Sequence, residues 1–195
     1  MSASDRFVRS GDWGSGASFP LGRRVSGKRL GIVGLGRIGE AVAQRAAGFA
    51  MPVRYHNRRA VAGSPYPHEP DLLALARWAD FLVLTCPGGA ATHHLINAEV
   101  LEALGSDGFL INVARGSVVD EAALIKALQT SVIAGAGLDV YEHEPQVPAA
   151  LRELDNVVLL PHVGSGSVET RQQMADLVLD NLRAFIATGK LLTPL

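Results

Sequence analysis

A single cysteine, Cys86, in 195 residues rules out an internal disulfide and cannot by itself build a thiolate metal site. Charge of one sign is lacking too: 18 basic side chains face 19 acidic ones, so there is no electrostatic excess to hold a nucleic acid or an anionic membrane. A local basic cluster can still grip a small anion. Long apolar runs are missing, since none reaches the roughly 18 residues of a membrane-spanning helix. The opening stretch, residues 1–19, mixes Asp5, Arg6, Arg9 and Asp12 with glycines and serines, which is not the pattern of a secretory signal. The expected compartment is therefore the cytoplasm. What is present, 48% hydrophobic and 19% charged residues, is the composition of an ordinary globular domain.

Up to about Gly27 the chain carries Gly11, Gly14, Gly16, Pro20 and Gly22 among scattered aromatics, with no sustained apolar period, and reads as a lead-in. Beyond it, short apolar β-rich runs alternate with segments of helical period. That is the signature of repeated βαβ units and predicts an α/β fold, a mostly parallel sheet with helices on both faces. Strands are predicted at residues 29–33, 53–56, 81–85, 109–113, 133–138 and 157–160, most of them continuously apolar as buried parallel strands should be. Helices are predicted at residues 37–49, 71–77, 98–104, 121–129 and 168–188, with Asp120 placed as the N-cap of the fourth. In the last helix Met174, Leu177, Val178, Leu179, Leu182, Phe185 and Ile186 cover more than the ~100° stripe needed to sit on one sheet. Either it has two partners to cover, or it is deeply buried within the domain.

Gly34-Leu35-Gly36-Arg37-Ile38-Gly39 directly follows the first strand and opens a helix on which Ile38, Val42 and Phe49 recur at helical spacing. Strand before and helix after give this GxGxxG its meaning as a dinucleotide-binding turn. Gly34 permits the tight turn, Gly36 lets backbone approach a pyrophosphate, and Gly39 allows close helix-to-sheet packing, while the helix N-terminus offers N–H groups to the anion. A carboxylate for the ribose 2′-hydroxyl of NAD is expected at the end of the second strand. That place reads Tyr55-His56-Asn57-Arg58-Arg59. Neutral Asn57 beside two guanidiniums suits a 2′-phosphate, so NADP(H) is favoured and NAD(H) remains possible; the alternative is that Arg58 and Arg59 form a solvated turn.

Three residues lie just beyond predicted strand ends: Arg115 in Asn112-Val113-Ala114-Arg115-Gly116-Ser117, Glu144 before Pro145, and His162 after Pro161. Ligands bind at that edge of an open α/β sheet, which makes the three candidates for one site. The glycine loop, the stretch NVARGSVVDE from Asn112, LDVYEHEP from Leu138 and PHVGSGS from Pro161 together resemble the D-isomer-specific 2-hydroxyacid dehydrogenases, in order and approximate spacing, over essentially all of the chain from Arg6 onward. The resemblance is greatest to the glyoxylate/hydroxypyruvate reductase branch, which tends to use NADPH.

The resemblance implies a Rossmann-type doubly wound sheet and catalytic roles for three residues. Arg115 would grip the carboxylate and carbonyl of a small 2-keto or 2-hydroxy acid, His162 would be the acid/base, and Glu144 the histidine's partner. A planar carboxylate suits a guanidinium fork, and hydride addition creates an alkoxide that needs a proton. Asp139 would hold the nicotinamide carboxamide. Cys86, Pro87, Thr92, Val113, Ala114 and Gly164 would run beside the cofactor together with Leu35, Arg37 and Ile38 of the glycine loop. Nothing in the sequence places a base beside Cys86, so it reads as a small loop residue. His93 and His94, taken as helical, would point about 100° apart, and no carboxylate or cysteine at ligand spacing accompanies them; no metal is expected.

Family members normally begin with a substrate domain before the glycine loop. The resemblance therefore divides the chain into a lead-in from that domain (residues 1–27), a dinucleotide-binding domain (28–165), and a C-terminal helix and tail (166–195). It also implies a homodimer formed largely through the dinucleotide domain. Two functions follow: an NADPH-dependent 2-keto acid reductase, or a dinucleotide-holding, dimerising domain that cannot close a cleft on substrate.

Overall fold

The computed structural model describes residues 2–194. They form two compact units, residues 2–160 and 161–194. The first unit is built on six strands, β1 (Leu30–Val33), β2 (Val53–His56), β3 (Phe81–Leu84), β4 (Phe109–Asn112), β5 (Gly135–Leu138) and β6 (Val157–Leu159). All five pairings are parallel, in the order β2-β1-β3-β4-β5-β6. Each strand lies within two residues of its predicted bounds, and the doubly wound arrangement is the one expected.

Alternation along the strands feeds two cores. On one face Val33, Leu82, Leu84, Leu110 and Leu138 pack with Leu75 and Ala76 of α3 (Leu72–Trp78), Leu101 and Leu104 of α4 (Ala98–Leu104), and Leu124 and Leu128 of α5 (Glu121–Gln129). On the other, Leu30, Ile32, Tyr55 and Val83 pack with Ala43 and Ala46 of α2 (Arg37–Ala46). Burying each large apolar side chain fully is worth about 1.5–3 kcal/mol. The helices start where side chains accept a backbone N–H: Asp71 from Leu73, Asn97 from Val100 and Asp120 from Ala123.

Four expectations change. The lead-in contains a helix, α1 (Ser2–Arg9), with no buried residue; its Asp5–Arg9 ion pair links successive turns at 2.9 Å, a local support that an apolar pattern cannot reveal. A short helix, α6 (Ala149–Arg152), follows β5 and buries Leu151. The segment predicted as one helix to residue 49 is α-helical to Ala46 and then tightens into a 3₁₀ turn, Ala47–Phe49. On α2 the buried positions are Gly39, Ala43 and Ala46, whereas Ile38 and Phe49 are 62% and 52% exposed, because a close helix-to-sheet approach admits small residues and turns the large ones outward.

The second unit holds α7 (Val168–Thr188), whose N-cap Ser167 accepts from Thr170 N–H at 3.1 Å. Its apolar arc is uncovered: Met174, Leu177, Leu182, Phe185 and Ile186 are all exposed. Among the described residues no helix is long and apolar enough to cross a membrane.

Candidate functional site

The strand order reverses at β1, which pairs with β2 on one side and β3 on the other, and at this switch point an open sheet leaves a crevice beyond its strand ends. The glycine loop closes over it. Gly34 has φ +100°, and a Cβ there would stand 2.4 Å from the Cys86 backbone nitrogen, so the turn after β1 lies directly against the one after β3. Thr85 Oγ1 ties the two by donating to Gly34 O at 2.7 Å. Gly39 is pressed on the same turn, its would-be Cβ 2.6 Å from Gly34 O, while Gly36 faces open space. No side chain caps α2, so its first N–H groups stay directed at whatever occupies that space.

Asn57 is turned to the glycine loop, accepting from Leu35 N–H at 2.7 Å and donating to Leu35 O at 3.3 Å, so it shapes the turn. Arg58 and Arg59 are exposed. The segment after them is pinned back on β2: His68 Nε2 donates to Asn57 O at 2.9 Å, His56 Nδ1 to Glu69 O at 3.0 Å, and Tyr55 Oη accepts from Val61 N–H at 2.8 Å. None of these contacts was legible beforehand, although a Tyr and two His within fourteen residues were the available signal.

Buried Asn112 ends β4. Its Oδ1 accepts from Ala114 N–H at 3.0 Å and its Nδ2 donates to Arg115 O at 3.1 Å, forming a side-chain turn that sets the backbone of Arg115. A polar residue closing an apolar strand was the sign of it. The exposed Arg115 side chain runs over Gly88, where a Cβ would meet Arg115 Cγ at 2.8 Å, and its Nη1 donates to Ala114 O at 2.6 Å. The next residue, Gly116, abuts the Tyr141 carbonyl. Tyr141 N–H donates to Glu144 Oε1 at 3.0 Å, and Tyr141 Oη donates to Leu160 O at 2.9 Å, anchoring the turn after β5 to the end of β6. Burial raises the Tyr141 phenol above its ordinary value. Arg115 and Glu144 thus stand on packed, successive loops of the first unit.

Asp139 is buried at the end of β5, its N–H donating to Asn112 O at 3.0 Å. Pro87 is exposed, Cys86 and Ala114 are buried, and Thr92 Oγ1 donates to Pro87 O at 2.7 Å, closing the loop after β3 on itself. Burial pushes the Cys86 thiol up. Val113 is exposed beside Ala114. His162 and Gly164 belong to the second unit, where both are exposed and His162 adopts a left-handed backbone, φ 51°.

His93 and His94 are not helical. They follow the 3₁₀ turn Ala90–Thr92, their rings stack with centroids 3.9 Å apart, and Glu142 reaches them from the turn after β5. Adjacent histidines are separated on a helix; here the left-handed backbone of His94, φ 49°, brings them together.

Against known proteins, the profile of the D-isomer specific 2-hydroxyacid dehydrogenase NAD binding domain matches residues 1–164. The chain is 51% identical over 191 residues to the 2-ketogluconate reductase of Gluconobacter oxydans, covering 98% of this chain and 61% of that one. It is also 51% identical over 190 residues to glyoxylate/hydroxypyruvate reductase A of Arabidopsis thaliana, covering 97% and 60%. The NADPH-dependent glyoxylate/hydroxypyruvate reductase of Sinorhizobium meliloti, solved in complex with NADP and malonate, superposes with a TM-score of 0.93 at 49% identity, covering 98% of this chain and 60% of that structure. The chain thus spans about three fifths of the length of these relatives.

Proposed function

The chain belongs to the D-isomer-specific 2-hydroxyacid dehydrogenases through their NAD-binding domain, and on that premise we propose that it binds NADP(H) for the reduction of small 2-keto acids of the glyoxylate and hydroxypyruvate type. The observation carrying the cofactor half is the glycine turn: Gly34 and Gly39 are packed tight while Gly36 leaves the start of α2 open, at the point where the strand order reverses. Arg58 and Arg59, exposed just beyond β2, provide the fork-shaped donors a 2′-phosphate requires. A structural relative at 49% identity was solved with NADP, which supports the same choice.

The bound nicotinamide supplies the hydride; the protein supplies position and charge. The glycine-loop backbone and α2 hold the pyrophosphate. Asp139 accepts from the carboxamide. Arg115, held by Asn112 and Gly88, takes the substrate's carboxylate. Read from their motifs alone, His162 would be the proton donor to the carbonyl oxygen and Glu144 would be its partner. The site residues are those the motifs imply, and we place them on a cytoplasmic homodimer that is divided into lead-in, dinucleotide domain and C-terminal helix.

The test is NADPH and NADH oxidation by the purified chain with hydroxypyruvate and with glyoxylate, alongside direct titration of NADPH. The reading expects NADPH binding, and turnover that vanishes in His162→Ala while NADPH still binds. Binding without turnover in the parent chain would overturn the reductase half and leave a cofactor-holding, dimerising domain. No binding would overturn both.

A further inference from the structure

We propose that His93, His94 and Glu142 form a binding site for one divalent transition-metal ion of the zinc class. The inference rests on a juxtaposition that the reductase reading does not use and holds or fails independently of it.

Among the described residues these three are the group of His, Cys, Asp and Glu side chains whose ligand atoms converge, all lying within 4.8 Å of one another. The convergence is built by the backbone. His94 N–H donates to Ser117 O at 2.8 Å and Ile96 N–H to Val118 O at 3.0 Å, fixing the histidine segment along one side of the Gly116–Val118 turn. Gly116, in the same turn, abuts the Tyr141 carbonyl and the Glu142 nitrogen, and only a residue without a side chain permits that approach. The two ligand-bearing segments are therefore set against one rigid turn.

Ligand chemistry fits the spacing. A tetrahedral zinc ion takes imidazole nitrogen and carboxylate oxygen at about 2.0–2.2 Å, which sets neighbouring ligand atoms roughly 3.3 Å apart. His94 Nε2 and Glu142 Oε1 are already 2.8 Å apart. His93 is exposed and completes the set by rotating its ring out of the stack, and the fourth position is left to water. With side chains 34% and 23% exposed, His94 and Glu142 are shielded yet reachable from solvent. Two imidazoles and one carboxylate select zinc, cobalt, nickel or copper; calcium and magnesium take all-oxygen sets. On entry the ion takes the place of the hydrogen between His94 Nε2 and Glu142 Oε1, and the neutral imidazole carries its proton on Nδ1 instead. Occupied, the site ties the loop after β3 to the turn after β5.

The experiment is equilibrium dialysis of the full chain, with any affinity tag removed, against Zn²⁺ alone. Co²⁺ then serves as a spectroscopic probe of tetrahedral N/O ligation. The expected result is one ion per chain, with Zn²⁺ raising the melting temperature. His93→Ala and Glu142→Gln should each weaken binding by more than the roughly 10–100-fold that loss of an outer-shell partner costs, while His143→Ala leaves it unchanged. His93 is exposed, so its variant keeps the fold and remains decisive even if His94→Ala does not fold. Failure of the parent chain to take up Zn²⁺, or equal uptake by His93→Ala and Glu142→Gln, overturns the proposal.

Discussion

Asn112 is a small side chain with a large share in the site. Buried, it satisfies both its acceptor and its donor on the loop that carries Arg115. Asn112→Ala leaves the Ala114 N–H without its partner, at a cost of about 1–3 kcal/mol, and loosens the turn at Arg115, whose carbonyl keeps only its bond from Val118 N–H. Thermal denaturation should show the loss, and where the chain turns over, kcat/KM for the keto acid should fall with NADPH affinity little changed; an unaltered melting temperature would contradict the role. Cys86 makes an opposite kind of prediction. Its thiol is buried and pushed up, so a thiol reagent should label the native protein slowly and the denatured protein fast. Rapid labelling at neutral pH would show that the turn against Gly34 is open. At this scale the sequence was informative where a residue type has one use, as with the glycines and Asp120. It was silent where a side chain has a further use: Asn57 Oδ1 and Nδ2 also meet the Leu35 backbone.

Among the elements, α2 and the segment after β2 border the proposed cofactor site. Gly39, Ala43 and Ala46 bring α2 close to the sheet, and a Cβ on Gly39 would stand 2.6 Å from Gly34 O and 2.9 Å from Thr85 Oγ1. Gly39→Ala therefore forces the helix start and the glycine turn apart, with an expected loss of about 1–3 kcal/mol in stability and a weakened NADPH titration. The segment after β2 owes its course to His68, Tyr55 and His56. His68→Ala should raise the NADPH dissociation constant while leaving NADH binding nearly unchanged, because it displaces only the arginines proposed to meet the 2′-phosphate. Equal effects on the two cofactors would show a general structural role. The parallel strands and most helices were legible because apolar runs and caps are local signals. The lead-in helix and the inward face of α2 were not, since an exposed ion pair and a row of small residues carry no apolar period.

For the molecule as a whole, stability at acid pH has an identifiable component. Arg29 donates twice from its guanidinium and once from its backbone to Asp80, holding that carboxyl below its ordinary value. The pair's contribution is complete above the unfolded carboxylate's value and is lost as pH falls through the lower folded one. Asp80→Asn should thus lower stability at neutral pH by about 1 kcal/mol, the partly exposed guanidinium limiting the effect, and should flatten the loss of stability below about pH 4. The exposed apolar side chains of α7 predict strong binding of an apolar dye, reduced in Leu182→Asp; a native protein that binds none would contradict the exposure seen here. A parallel sheet with helices on both faces followed from the sequence pattern, but the meeting of His94 with Glu142, 48 residues apart, could not, since contacts at that separation are set by the fold. The central claim, an NADP(H) site at the glycine turn, is tested most directly by titrating NADPH and NADH into the chain and into Arg58→Ala/Arg59→Ala. The account predicts tighter NADPH binding, weakened at least about tenfold in the variant with NADH nearly unaffected, as expected for lost charge-assisted hydrogen bonds. Equal losses for both cofactors, or no binding of either, would contradict it.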